Sequence, residues 1–188
     1  MPFGGFELAV RAILGQKITV AAARTEAQRL LVALGEPLDT PLADLNRVLA
    51  PPLALAQLDA QCSAVLGWAL FASATISALA SAAASGQLVL DGSADLHSTL
   101  VALKALPGVG HWTAQCIAMR ARRWPGAFVA GDVALHKALG VQGNQQPARL
   151  AEAASVCKPW RSYAVIRVRS GAGRGAHSVP ALRPEATP

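Results

Sequence analysis

Cysteine is scarce. Cys62, Cys116 and Cys157 are the only three in 188 residues, and they stand far apart. That excludes a disulfide framework and any four-cysteine zinc or iron–sulfur site built from this chain alone, and it suits a reducing cytoplasm. Charge is scarce too: 15% of residues are charged against 53% apolar, which provides for a sizeable core and argues against global disorder. From Gln61 to Leu90 there is no charge at all, a stretch long enough to span a bilayer, which needs ~20 apolar residues. Its content argues otherwise. Ser63, Ser73, Thr75, Ser77, Ser81 and Ser85 interrupt it and nine more of its residues are alanine, so insertion energy would be poor. The mean hydropathy of +0.36 therefore reads as a buried, alanine-rich helix rather than a membrane span. Met1-Pro2-Phe3-Gly4-Gly5 lacks the basic start and apolar run of a signal peptide.

Acids are the scarcer charge, eleven against seventeen Lys and Arg, for a net charge of +6. An excess of that sign favours a polyanionic partner such as nucleic acid, though it does not require one. The length suits one domain or two small subdomains. Phe6, Val10, Ile13 and Leu14 recur at helical spacing, Gly15-Gln16-Lys17 interrupts, and Thr19 caps a second helix that closes at Gly35. Further helices are expected at 42–49, 53–60, 69–85, 95–105, 111–122, 132–139, 149–156 and 159–168. There is no convincing strand pair and no repeat. Residues 169–188, rich in Gly, Pro and Arg, are expected to form a disordered tail. The fold class is all-α with short connections.

Two places carry chemistry. The first is Leu103-Lys104-Ala105-Leu106-Pro107-Gly108-Val109-Gly110-His111-Trp112-Thr113-Ala114, in which one helix ends, a tight turn follows and a second helix begins. Gly108 and Gly110 allow positive φ and a close backbone approach, and the N–H groups at the new helix start are open to an anion. An ordinary turn between packed helices is the plainer reading of a lone Gly-x-Gly, but the whole string is more specific. The second is Asp132, at a helix start, where Asp is a preferred cap.

These blocks resemble the helix-hairpin-helix DNA glycosylase superfamily. The likeness is to its alkylated-base branch, typified by bacterial DNA-3-methyladenine glycosylase II and including forms fused to the Ada methyltransferase. The resemblance is carried by Phe6 to Gln16, by the hairpin through Ala114, and by Ala130 to Leu139 with Lys158 to Ala164 behind it. It implies two helical subdomains flanking a cleft within a glycosylase domain at 1–168. Residues 6–124 would carry the hairpin and 125–168 the catalytic aspartate.

The family's aspartate lies some twenty residues beyond the hairpin, and Asp132 matches it. A fixed carboxylate there stabilises the positive charge that develops on the sugar as the N-glycosidic bond breaks. An alkylated base leaves easily, so no cofactor is expected for catalysis. Trp112 stands where lyase-competent relatives carry a nucleophilic lysine, which implies a monofunctional enzyme. Trp112 can stack on a flipped, electron-poor base, and its plainer reading is a core aromatic. Gln16 matches a residue that lines the base pocket or probes the gap, and otherwise is a polar turn residue. Gly108, Val109, Gly110 and Thr113 would hold DNA phosphate. The carbonyls of Lys104, Leu106 and Val109 would hold a structural sodium or potassium ion.

The expected function is excision of alkylated purines such as 3-methyladenine from double-stranded DNA in base excision repair. The expected protein is a monomer with no membrane partner, in the bacterial cytoplasm at the nucleoid. Some features differ from the family pattern. Cys116 stands where a tyrosine is frequent. Ile166-Arg167-Val168-Arg169 replaces a stretch that carries a pocket aromatic, usually tryptophan. The family's N-terminal sheet domain is expected to have no counterpart in these 188 residues. These departures support an alternative, a catalytically impaired helix-hairpin-helix DNA-binding fragment. A basic helical protein with no DNA role is the third reading.

Overall fold

Apolar residues at three- and four-residue steps start the first helix. The computed structural model describes residues 4–42, 45–58, 64, 67, 70–92, 94–140 and 146–172. Its elements in chain order are α1 (Gly5–Leu14), α2 (Val20–Leu34), β1 (Glu36–Pro37), β2 (Arg47–Val48), α3 (Pro52–Leu55) and α4 (Leu70–Ala84). They continue with α5 (Leu96–Ala105), α6 (His111–Arg120), α7 (Val133–Ala138), α8 (Gln146–Val156) and α9 (Arg161–Ala172). The chain divides into two compact units, Met1–Arg123 and Trp124–Pro188. Among the described residues no helix is long and apolar enough to cross a membrane.

In the first unit α1 is the hub. Its apolar face, Ala9, Val10, Ala12, Ile13 and Leu14, is buried, and it packs against α2, α4 and α6. On its polar side Glu7 pairs with Arg11 one turn on at 2.7 Å, in the favourable acid-first order. The alanine-rich α4 is indeed a buried helix. Ala72, Ser73, Thr75, Ile76, Leu79, Ala80 and Ala82 are buried, and its small side chains let α1 and α3 come close. The fully buried Ile13, Ile76, Leu79, Leu103 and Ile117 dominate this core, each contributing about 1.5–3 kcal/mol by leaving water. Two side-chain oxygens cap helix starts: Thr19, as expected, accepts the Ala22 N–H, and Asp95 accepts the Ser98 N–H.

The segment between α2 and α3 departs from expectation. Among the described residues of 42–49 there is no helix. Instead β1 and β2 make a two-residue antiparallel pair, Glu36 opposite Val48 and Pro37 opposite Arg47. Thr40 organises the turn between them, its hydroxyl bonding the carbonyls of Leu42 and Leu45. Leu42 and Leu45 are exposed, so their helical spacing reflected no core face.

In the second unit α7 packs on α9, and Val129, Leu135 and Val165 are buried. The Ser162 hydroxyl donates to the Trp124 carbonyl at 2.6 Å, and its N–H to the Pro125 carbonyl at 2.8 Å. Arg161 reaches the carbonyls of Gly126 and Ala154. Arg161 and Ser162 thereby tie the start of α9 to the chain leading toward α7. Residues 169–172, expected in the tail, continue α9, since Arg167, Val168 and Arg169 offer no helix breaker ahead of Gly171. The rest of the expected tail lies outside the described residues.

Candidate functional site

The hairpin joins α5 to α6. After Ala105 the turn tightens through two short-range bonds, Leu106 N–H to the Leu103 carbonyl and Val109 N–H to the Leu106 carbonyl. Gly108 sits at φ +81°, and a Cβ built there would lie 2.0 Å from Thr75 Oγ1 on α4. Glycine is therefore required twice, by the left-handed backbone and by the neighbour. Val109 is buried and plugs the turn into the core. Gly110 differs from expectation: as N-cap of α6 it is extended, with φ −80°, and a Cβ would meet nothing within 4 Å. It needs no special backbone freedom, and it leaves open space at the helix start.

No side chain caps α6. Its first intrahelical bond runs from the Ala114 N–H to the Gly110 carbonyl. The N–H groups of His111, Trp112 and Thr113 have no helical acceptor, and the positive end of the helix dipole lies there. This arrangement can receive an anion. Lys104, in the last turn of α5, and His111 are exposed beside it.

Gln16 and Thr113 are brought together, in a different way from the one expected. The Gln16 amide donates to Thr113 Oγ1 at 2.7 Å and to the Gly108 carbonyl at 3.1 Å. Thr113 is only 3% exposed. Its hydroxyl is thus turned inward onto Gln16, and what it offers an outside anion is its backbone N–H. Gln16 acts on the hairpin itself. Trp112 is half-buried on the second position of α6, and Cys116, one turn on, is buried.

Asp132 belongs to the second unit. It caps α7, Oδ1 accepting the Leu135 N–H at 3.0 Å, and it is 6% exposed. The cap reading is therefore correct as structure. His136, in the same helix, bonds the Ala130 carbonyl through Nε2 and fixes the approach to the cap. The second carboxylate oxygen, Oδ2, lies 3.2 Å from Nη1 of Arg169. Sequence reasoning missed that partner, as it missed the tethers made by Arg161 and Ser162. Their only sequence signal was membership of the Lys158–Ala164 block.

Among the described residues no three His, Cys, Asp or Glu side chains form a group able to hold a metal.

No protein-family model matches the chain. Over 161 residues, 84% of its length, it is 38% identical to a Mycobacterium tuberculosis protein named probable bifunctional transcriptional activator/DNA repair enzyme AlkA. Over 165 residues, 87% of its length, it is 33% identical to DNA-3-methyladenine glycosylase 2 of Escherichia coli. The solved 3-methyladenine DNA-glycosylase of Archaeoglobus fulgidus superposes with a TM-score of 0.76 at 16% identity, over 93% of this chain and 60% of that one.

The fold is that of the helix-hairpin-helix DNA glycosylases. Within that fold, the chain is a homologue of the Mycobacterium tuberculosis AlkA protein and of Escherichia coli DNA-3-methyladenine glycosylase 2. It spans 32% of the mycobacterial relative and 56% of the Escherichia coli one.

Proposed function

We propose that the chain is the catalytic portion of a monofunctional DNA glycosylase that removes alkylated purines, 3-methyladenine among them, from double-stranded DNA. The reading is carried by one combination: a buried, N-capping carboxylate, Asp132, on a chain whose hairpin presents uncapped helix N–H groups. The name of the Escherichia coli relative supplies the lesion class. In this reading the N–H groups at the start of α6 take a DNA phosphate, which positions the duplex without reading its sequence. Trp112 supplies an aromatic face for an extruded base. Asp132 stabilises the oxocarbenium-like sugar and orients water for attack at its anomeric carbon. No imine forms, because an indole stands where a lysine would attack. The protein works as a monomer in the bacterial cytoplasm.

A sodium or potassium ion at the hairpin fits the residues present. The donors would be neutral carbonyls of Lys104, Leu106 and Val109, a set suited to a hard monovalent cation. The Leu106 carbonyl takes one N–H, from Val109, and keeps a second lone pair. Such an ion would hold the turn rigid and take no part in bond cleavage.

A second reading, a DNA-binding fragment with impaired turnover, is favoured by one observation: Arg169 already occupies the second oxygen of Asp132. Release of 3-methyladenine from methylated duplex DNA, followed by chromatography, decides between them. Free base accumulating over many turnovers supports the enzyme. Duplex binding without any release supports the fragment.

A further inference from the structure

Both oxygens of the Asp132 carboxylate are engaged, one by a backbone N–H and one by a guanidinium. Oδ1 accepts from Leu135 at 3.0 Å, and Oδ2 meets Arg169 Nη1 at 3.2 Å. The acid is buried, and the Arg169 side chain is 28% exposed. Among the arginines and the lysine of α7 and α9, Arg161 bonds the carbonyls of Gly126 and Ala154, and Lys137 and Arg167 are exposed.

A full positive charge at hydrogen-bonding distance cancels much of the field that a lone carboxylate projects, and more so where water is largely excluded. Stabilising a sugar cation depends on that field. We propose that Arg169 is a positioning residue that fixes the Asp132 carboxylate through the ion pair and partly offsets its charge. The field that the carboxylate offers a cationic sugar is thereby reduced but not abolished. This rests on the reading of Asp132 as the acid that faces the sugar.

The test compares two duplexes, using the full chain. One carries a protonated pyrrolidine in place of a sugar, a mimic of the cationic transition state; the other carries neutral tetrahydrofuran. The quantity read is the ratio of their dissociation constants. Wild type should favour the cationic duplex only modestly, and Arg169→Gln should raise that preference by roughly tenfold or more. Arg169→Lys, which keeps the charge, should stay with wild type, and adding Asp132→Asn to Arg169→Gln should erase the gain. Arg169→Trp is expected to behave as Arg169→Gln does and serves if that variant does not fold, as judged by circular dichroism.

Three results would overturn the proposal. An equal ratio in wild type and the uncharged variants, lowered in each by Asp132→Asn, leaves the role of Asp132 standing and removes that of Arg169. A rise in Arg169→Lys as large as in Arg169→Gln shows that packing rather than charge is being read. A ratio insensitive to Asp132→Asn in every background removes the reading of Asp132 itself, and the proposal with it.

Discussion

Gln16 holds Thr113 at 2.7 Å and the Gly108 carbonyl at 3.1 Å with a single amide group, so the chain just past α1 grips both sides of the hairpin. Thr113 Oγ1 is in a buried residue, so losing its donor leaves an acceptor without compensation. Gln16→Ala should cost about 1–2 kcal/mol in chemical denaturation and weaken duplex binding through a looser turn. Gln16→Glu should be no better, since a carboxylate cannot donate to the Gly108 carbonyl. If denaturation midpoints and duplex affinity both match wild type, the tether is idle.

The two hairpin glycines should separate folding from binding. Gly108→Ala meets both a left-handed φ and Thr75 at 2.0 Å, and should lose roughly 2 kcal/mol or more of stability. Gly110→Ala has an ordinary φ and open space, so stability should hold within about 0.5 kcal/mol. Its methyl group would nevertheless stand where a phosphate approaches the N–H groups of α6. Affinity for any duplex, whatever its sequence, should fall. Unchanged affinity at low and moderate salt would remove the hairpin from the DNA interface.

The helices were legible because apolar period and cap chemistry agree locally. Val10, Ile13 and Leu14 face the core, and Thr19, Asp95 and Asp132 start helices as their side-chain oxygens suggest. The pair of β1 and β2 was not legible. A two-residue ladder shows no alternation, and Leu42, Leu45 and Leu49 imitate a helical stripe in a segment whose turn is held by one threonine hydroxyl. At the site, residue type located Asp132 and the hairpin, but not what their atoms touch. Gln16 reaches Thr113 across 97 positions, and Arg169 comes to Asp132 only because α9 packs on α7. Such pairings depend on tertiary packing, which no local pattern encodes.

Asp132 combines a cap with a charge, and two variants separate them. Asp132→Asn keeps a capping oxygen but abandons the ion pair, and should cost about 1–3 kcal/mol, moderated because Arg169 is partly in water. Asp132→Ala loses the cap as well, for about 1 kcal/mol more. Base release should fall roughly 100-fold or more in either variant, while duplex binding stays close to wild type. Base release by Asp132→Asn at the wild-type rate would reduce the residue to a helix cap.

Asp95 caps α5, the helix that leads into the hairpin. Hydrogen bonds from the backbone N–H and then the hydroxyl of Ser98 hold its carboxyl below the usual aspartate range. A lowered folded-state value means that the cap's contribution is complete above the ordinary range and is lost as pH falls through the lowered one. Asp95→Ala should therefore melt below wild type near neutral pH, and the gap should close in strong acid. A gap independent of pH would assign the loss to something other than the carboxylate.

The last prediction concerns covalent chemistry. Borohydride trapping on abasic duplex DNA should give no protein–DNA adduct. An imine requires a nucleophilic amine, and at the second position of α6 the chain has Trp112, whose indole nitrogen is not nucleophilic. The lysines nearest in sequence are poorly placed for the task. Lys104 is exposed in the last turn of α5, and Lys137 is exposed on α7. Schiff-base lysines are desolvated, and neither of these is. A Trp112→Lys variant makes the negative result informative, since its amine would occupy the position that lyases use. A trapped band with wild type that disappears on replacing Lys104 or Lys137 would overturn the monofunctional reading. The comparison must use a preparation in which release of methylated base is seen, because an inert protein also yields no adduct.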